Sequence, residues 1–409
     1  MDTFIARQPI FDRNKKVYGY ELLFRSGIEN FFNHSMLDQA TSKVISDSFF
    51  LFGISSLTGG KRAFINVSED FLLEEYLYLI PKEQIVIEIL ENVSVNSRVI
   101  QACEQLKNKG YLIALDDFVY EDSSHPLLRW TDFVKVDFLS TEPEKRKELI
   151  EKFSGRGIRF LAEKLETPLS FREAKILGYQ YFQGYFFKKP DILTSKDISG
   201  FKLHYLHILQ EIHRPELNFK QLEKIIKKEV SIAYKLLRYI NSAYYGLPNK
   251  VSSILQALTL LGEKEVRKWC SLIALAHMGV DKPEELVMEA IVRARFCESM
   301  APMANLPQQK DDLFLLGMFS LIDAILDRPI SDILDEIPLE GKIKMALLGE
   351  ENALRDVLET FLVYQKGNWE KLSKYCQKLC VKEQLISKLY WDSMKWAQDS
   401  FYSEFLVWR

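Results

Sequence analysis

Cysteines are few in this chain, and long apolar runs are missing. The five cysteines are scattered and odd in number, which favours reduced thiols in the cytosol over a disulfide framework. No apolar stretch approaches the roughly 20 residues that a membrane-spanning helix needs, and the first residues lack the apolar segment of a secretion signal. The formal net charge of −3 indicates neither a nucleic-acid polymer nor a membrane surface as a partner. These absences predict a cytoplasmic protein.

The 409 residues are 47% hydrophobic and 27% charged, a composition typical of a globular protein of two domains. The chain opens like a β-hairpin, and strand-like apolar runs then alternate with amphipathic helical stretches through the first half. Strands that are apolar on both faces and alternate with helices indicate a parallel α/β barrel. From Phe201 onward helical periodicity continues almost without a break, so we expect an all-α domain. The predicted boundaries are 1–195 for the barrel and 200–409 for the helical domain.

Polar side chains close one apolar run after another in the first half. These runs recur at intervals of roughly 20 to 45 residues, about the length of one strand-plus-helix unit of an α/β barrel. Because the carboxyl ends of barrel strands converge on one mouth, the side chains are expected to meet there. Carboxylate and amide oxygens suit hard divalent cations such as Mg²⁺ or Mn²⁺. The candidate ligands are Glu21, Asn66, Glu88, Asp116, Asp117, Glu163 and Gln183.

Seven motifs in the first half resemble, in the same order, those of the EAL domain, the cyclic di-GMP phosphodiesterase family. They are GYELLFR, FINVS, IVIEILE, LIALDDF, FVKVDF, FLAEKLE and YFQGYFF, within about residues 1–190. The resemblance implies hydrolysis of cyclic di-GMP to linear pGpG at a site that holds two Mg²⁺ or Mn²⁺ ions. It puts the candidate ligands on metal-site positions and Lys135 on the catalytic lysine, with Glu163 also assisting proton removal. Arg25, Glu91 and Asp137 fall on positions that contact the substrate or support the site.

The chain departs from the EAL pattern in the loop after Asp117 and beside Glu163. In the loop, Val119 and Glu121 stand where the family has glycines, and a missing glycine can change the path of a loop. Lys164 also stands where the family has glycine, and its ammonium could repel the cations or contact a phosphate of the dinucleotide. Two alternatives to an enzyme therefore stay open. One is a receptor that binds cyclic di-GMP without cleaving it, and the other is a scaffold whose barrel binds no nucleotide.

The second half resembles an HDOD domain, a module related to HD phosphohydrolases. The similarity lies in LLRYINSAYYG, VSSILQALTLLG and LLGMFSLID, within about residues 200–409. Metal-dependent HD enzymes would carry a His-Asp pair in the last motif, where this chain has Ser320 and Leu321, and no His-Asp dipeptide occurs anywhere in the sequence. The resemblance implies a non-catalytic regulatory or output module that binds protein partners. It leaves the oligomeric state open, a homodimer included.

Overall fold

The computed structural model describes residues 3–26, 54–73, 77–78, 80–116, 125–153, 155–189, 200–227, 229–242, 245–247 and 249–400. The chain divides into two compact units. The first holds Met1–Phe187 together with Tyr364–Glu370, and the second holds Lys188–Val363 together with Lys371–Arg409. The predicted boundary between 195 and 200 falls outside the described residues and stays a prediction.

The first unit is a closed barrel of eight strands, which confirms the predicted α/β fold. The strands are β1 (Thr3–Asp12), β2 (Val17–Ser26), β3 (Arg62–Val67), β4 (Ile85–Ile89), β5 (Leu112–Leu115), β6 (Phe133–Asp137), β7 (Arg159–Glu163) and β8 (Tyr181–Gln183). β1 pairs antiparallel with both β2 and β8, whereas the neighbours from β2 to β8 are parallel. The described α-helices of the barrel are Ile54–Thr58, Glu69–Leu73, Ser97–Asn108, Pro143–Phe153 and Pro168–Leu177, with 3₁₀ turns at Pro126–Trp130 and Phe186–Lys188.

Local sequence determines where the last barrel helix, Pro168–Leu177, begins. The side chain of Thr167 accepts a hydrogen bond from the backbone N–H of Ser170, and the Ser170 hydroxyl accepts one from the backbone N–H of Thr167. This reciprocal cap satisfies two N–H groups that the first helical turn leaves without partners, and such caps contribute ~1 kcal/mol. Because the helix follows β7, the cap also limits the length of the loop at the mouth of the barrel.

Large apolar side chains fill the interior of the barrel. Phe64 and Phe133 meet edge to face with ring centroids 5.4 Å apart, and Tyr18 and Tyr181 pack against the same layer. Burying one such side chain contributes about 1.5–3 kcal/mol, and Phe133→Ala would cost ~3–5 kcal/mol because a cavity remains. The fully buried members of this core layer are Ile10, Phe64, Val86, Ala114, Phe133 and Leu161.

The second unit is all-α among its described residues, as predicted. Its α-helices are Gly200–Ile212, Phe219–Ile226, Val230–Ile240, Ile254–Met278, Glu284–Met300, Lys310–Phe319, Ile322–Leu326, Ile330–Glu336, Gly341–Leu347, Ala353–Gln365, Trp369–Lys378 and Gln384–Ser400. The end of Ala353–Gln365, from Tyr364, and the start of Trp369–Lys378, to Glu370, group with the first unit. The longest is interrupted at Gly262, whose φ of 76° is a left-handed value that glycine adopts readily. In the described ranges, no helix is both long and apolar enough to cross a membrane.

Asn241, part of the Asn-Ser-Ala stretch that carries the HDOD resemblance, has a structural role. It follows the helix Val230–Ile240, and its side-chain nitrogen donates to the carbonyls of Leu237 and Val251, each at 2.7 Å. Its side-chain oxygen accepts the backbone N–H of Val251 at 2.8 Å. The side chain therefore closes the loop that leads to the next helix, since it pairs with both backbone groups of Val251.

Candidate functional site

The polar residues predicted at the mouth lie one step beyond the core layer on the same strands. In a β-strand every second side chain points to the same face, so residues two apart share one side of the sheet. Glu88 follows Val86 by two positions, and Lys135 follows Phe133 by two positions. The same spacing links Asn66, Asp116, Glu163 and Gln183 to Phe64, Ala114, Leu161 and Tyr181. The site is therefore the next layer of interior side chains, built directly on the barrel core.

Lys135 lies at the centre of this layer, and only 1% of the residue is exposed. Its Nζ is 2.7 Å from Glu163 Oε1 and 2.9 Å from Asp116 Oδ1. The same Nζ donates a hydrogen bond to Glu88 and lies 3.8 Å from Glu21 Oε1. Four carboxylates and one ammonium give this cluster a formal charge of −3 when all are ionised. Such an excess of buried negative charge favours the binding of further cations.

Two amide side chains hold Glu21 in place. The nitrogen of Asn66 donates to Glu21 Oε1 at 3.1 Å, and that of Gln183 donates to Glu21 Oε2 at 2.6 Å. Burial alone would raise the pKa of Glu21, but Lys135 and these two hydrogen bonds outweigh it, and the pKa lies below its ordinary value. Glu21 is therefore ionised at neutral pH.

Gln8 is a part of the site that the sequence did not reveal. It lies opposite Glu21 in the β1–β2 pairing, and its Oε1 accepts a hydrogen bond from Gln183 Nε2 at 3.1 Å. The sequence gives one signal for it: because β1 runs antiparallel to its neighbours, the mouth lies toward its N-terminal end, and Gln8 precedes Ile10 of the core layer by two positions. Gln8 orients Gln183 and so acts on Glu21 indirectly.

Three buried oxygens test whether the site fits a divalent ion. Asn66 Oδ1, Glu88 Oε2 and Gln183 Oε1 accept no hydrogen bond within the described part of the chain. A buried acceptor without a partner costs roughly 1–3 kcal/mol, so such atoms indicate a further ligand. Carboxylate oxygens of Glu21, Glu88 and Glu163 also lie within 4.8 Å of one another, close to the span of about 4.2 Å across an octahedral Mg²⁺ site. The residues present therefore fit a hard divalent cation with oxygen ligands.

Asp137 and Lys164 form an ion pair beside this cluster. Lys164 Nζ donates to Asp137 Oδ2 at 2.7 Å, and Asp137 Oδ1 accepts the backbone N–H groups of Leu139 and Ser140 at 2.7 and 3.2 Å. Burial acts to raise the pKa of Asp137, but the hydrogen bonds from Lys164 and from the two N–H groups lower it below its ordinary value. Asp137 is thus an ionised residue that positions Lys164.

The backbone after β8 has no room for a side chain. Gly184 has a φ of 136°, and a Cβ there would lie 2.3 Å from the carbonyl oxygen of Leu165 and 2.4 Å from its nitrogen. The N–H of Leu165 donates to the carbonyl of Gln183 at 3.0 Å. This close approach joins the ends of β7 and β8 and fixes the backbone that carries Gln183.

Three of the predicted site residues are not among those that the structure shows in the cluster. Arg25 lies in β2 opposite Phe4, and its side chain belongs to the undescribed part of the chain. Glu91 is exposed on the turn after β4. Asp117 and the altered loop that follows it, residues 117–124, lie outside the described residues. The structure brings the other predicted residues together, but the catalytic and binding roles of all of them stay predictions.

In the helical unit, Ser320 bonds to one member of a buried ion-pair network. Arg293 Nη1 donates to the Ser320 hydroxyl at 3.0 Å, and Arg293 Nη2 donates to Glu289 at 2.5 Å. Lys188 Nζ lies 2.7 Å from the same Glu289 carboxylate. Burial lowers the pKa of Lys188 to about 8 in spite of this partner. All three charged side chains are buried, so the negative charge of Glu289 is compensated within the chain.

Comparisons with known proteins agree with this division of the chain. The EAL domain model matches residues 54–190, and the HDOD domain model matches residues 201–326. The chain is 35% identical to the uncharacterized protein YuxH of Bacillus subtilis (strain 168), over 98% of this chain and 99% of that protein. It is 33% identical to cyclic di-GMP phosphodiesterase CdgJ of Vibrio cholerae serotype O1, over 97% of this chain and 93% of that protein. On its architecture, its site residues and these relatives, the chain belongs to the family of proteins that join an EAL domain to an HDOD domain.

Proposed function

We propose that the barrel hydrolyses cyclic di-GMP to linear pGpG with the help of Mg²⁺ or Mn²⁺, two ions per site. The observation that carries this proposal is the buried cluster of four carboxylates around Lys135, with three further buried oxygens beside it. The relative from Vibrio cholerae, whose name is cyclic di-GMP phosphodiesterase, supports the choice of substrate because the similarity extends over nearly the whole of both chains.

The ions would be held by oxygens from the strand ends. When bound, two divalent cations activate a water molecule and neutralise the phosphoryl oxygens that gain charge in the transition state. Among the described residues the proposed ligands are Glu21, Asn66, Glu88, Asp116, Glu163 and Gln183, and Asp117 completes the set by resemblance.

The chain's own residues then supply position and charge. Glu163 is the proposed acceptor of a proton from the attacking water; it is 6% exposed, and its Oε1 lies 2.7 Å from Lys135 Nζ. The water oxygen forms the new bond to phosphorus, the bond to the ribose oxygen breaks, and that oxygen takes a proton from solvent. The ammonium of Lys135 stabilises the negative charge that develops on the phosphoryl group. Glu21 stays ionised and fixed through Asn66 and Gln183.

The helical unit is proposed to be a non-catalytic regulatory or output module. Support comes from the sequence, where Ser320 and Leu321 stand at the positions of the His-Asp pair of metal-dependent HD enzymes by resemblance, and from Arg293, which bonds to Ser320. Its protein partners, a homodimeric state and a cytoplasmic location stay predictions.

The direct test is chromatography of purified protein incubated with cyclic di-GMP and Mn²⁺, beside a Glu21→Ala control. Linear pGpG from the wild type and none from the control is the expected result. Absence of product from the wild type, with Mn²⁺ in excess, would overturn the proposal of an enzyme.

A receptor is the second candidate, and one observation favours it. Lys135 already contacts the site carboxylates, so the cluster can be partly neutralised by the chain itself. A receptor predicts calorimetric binding of cyclic di-GMP without product. Absence of both binding heat and product would point instead to a scaffold.

A further inference from the structure

Lys164 has an unusual backbone conformation directly beside the site. It follows Glu163, the last residue of β7, and has a φ of 53°, in the left-handed region that residues with a Cβ avoid. Among the described non-glycine residues of the barrel, Lys15 shares this feature, but it lies in the turn between β1 and β2. Strained conformations that persist tend to occur at functional sites. The backbone at this position favours glycine, so the presence of a lysine is explained by what its side chain does.

Asp137 holds the Lys164 ammonium in a defined place. The two charged groups are 2.7 Å apart, and Asp137 is itself fixed by the backbone N–H groups of Leu139 and Ser140. Asp137 pairs with Glu163 in the β6–β7 register, so the ion pair stands next to a residue of the carboxylate cluster. The side chain of Asp137 is 11% exposed, whereas that of Lys164 is 51% exposed. The ammonium is thus positioned by a buried anchor and remains accessible from solvent.

The charge of Lys164 has a use at this position. The cluster around Lys135 is formally negative, and a cyclic dinucleotide carries two negative phosphodiesters. An ammonium has three N–H donors, so it can bind Asp137 and a phosphate oxygen at the same time.

We propose that Lys164 is a substrate-binding residue that holds a phosphate oxygen of the cyclic dinucleotide, with Asp137 as its positioning residue. This inference rests on the proposed function of the barrel. It assigns to Lys164 an effect on affinity more than on the chemical step, since the ammonium contacts the ligand in the ground state and the transition state alike.

The test uses the full chain and three variants. Lys164→Met removes the charge and keeps the length, and Lys164→Gly removes the ammonium but suits the positive φ. Lys147→Met is the matched control, because Lys147 is an exposed barrel lysine 3.6 Å from Glu151. Rates with Mn²⁺ give KM and kcat, and thermal melting reports on folding.

Lys164→Met and Lys164→Gly should each raise KM about tenfold, the lower end of the range for a hydrogen bond to a charged group, while kcat stays within about twofold. Lys164→Gly should melt no earlier than the wild type, and KM of the wild type should rise more steeply with NaCl than KM of either variant. KM within twofold of the wild type in both variants would overturn the inference. A loss of kcat together with a lower melting temperature in both variants would also overturn the inference, because it would indicate that the ion pair only stabilises the strand ends.

The outcome separates this inference from the proposed function. If the wild type yields no pGpG, calorimetric Kd values for cyclic di-GMP with Mn²⁺ replace KM, and a tenfold weaker Kd in both Lys164 variants still supports the inference. If the wild type neither cleaves nor binds cyclic di-GMP, both proposals are wrong.

Discussion

Replacing Lys135 by methionine should destabilise the barrel in the absence of divalent cations. The ammonium is almost fully buried and contacts Glu88, Asp116 and Glu163, with Glu21 slightly farther away. Methionine keeps most of the side-chain volume but leaves four carboxylates without this cation. Removing one partner of a buried ion pair typically costs about 3–5 kcal/mol. Because the carboxylates can take up protons or water, we expect the free energy of unfolding in EDTA at neutral pH to fall by ~3 kcal/mol, the lower end of that range.

Mn²⁺ should restore much of that stability without restoring turnover. A ligand that binds only the folded state adds ~2.7 kcal/mol at a concentration one hundred times its Kd. Lys135→Met should also bind Mn²⁺ more tightly than the wild type, since the ammonium no longer occupies the space among the carboxylates. Turnover should still fall by about 10²–10³, as expected when a group that stabilises transition-state charge is removed.

The measurement is urea unfolding in EDTA and in Mn²⁺, with kcat determined in the second buffer. Lys107→Met is the control, because Lys107 pairs with Asp132 at 2.6 Å in a half-buried ion pair outside the cluster. The free energy of unfolding of that variant should be at most about 1 kcal/mol below that of the wild type, by the same amount in EDTA and in Mn²⁺. Two results would contradict this prediction. One is a free energy of unfolding in EDTA that is the same for Lys135→Met and the wild type. The other is a difference in that free energy that Mn²⁺ does not reduce.

Three further substitutions test other parts of the structure. Glu21→Gln should abolish most turnover. The folded-state pKa of Glu21 lies below its unfolded value near 4.5, so the free energy of unfolding of the wild type should fall as the pH drops through that folded-state pKa. Denaturant titrations should show a smaller fall at acid pH in the variant. Burial lowers the pKa of His213, which bonds to Ser271, from 6.5 to about 3, so the wild type should lose about 2 kcal/mol between pH 6.5 and 5, and His213→Gln should lack this slope in urea titrations. Gly184→Ala places a Cβ 2.3 Å from a backbone oxygen, so it should lower the melting temperature and, by displacing Gln183, reduce kcat.

The strand-end pattern was predictable because two simple periodicities combine. Alternation within a strand puts residues two apart on one face, and parallel strands in a barrel present their carboxyl ends to one mouth. Glu88, Asp116, Lys135 and Glu163 therefore meet although they are far apart in sequence. The helical half was predictable for the same kind of reason, since its apolar period is that of an amphipathic helix.

Contacts between side chains of different strands were less accessible, because they depend on register and on the closure of the barrel. The sequence left open whether the Lys164 ammonium repels the cations or contacts a phosphate of the dinucleotide. The structure shows that it forms an ion pair with Asp137. The bond from Gln183 to Gln8 needs the antiparallel pairing of β1 with β8. The hydroxyl of Tyr364, a residue that groups with the barrel, donates to the carbonyl of Ile5 at 2.8 Å, and no local pattern indicates a contact over that separation.

Charge balance distinguishes the two units chemically. In the helical unit one buried carboxylate, Glu289, faces two cations, Lys188 and Arg293. Burial alone would raise the pKa of Glu289, but these cations lower it, so the group is ionised and compensated within the chain. A divalent cation would gain little there, since it would have to displace two charges already in place.

The barrel has the opposite balance. Four carboxylates share Lys135, and three buried oxygens in the described residues accept no hydrogen bond. Added cations therefore relieve repulsion among the acids and give those oxygens a partner, two gains that the helical unit does not offer. The same physical need, compensation of buried negative charge, is met by side chains in one unit and is left for ions in the other. On this ground we expect a divalent cation to bind at the carboxylate cluster of the barrel rather than at Glu289 of the helical unit.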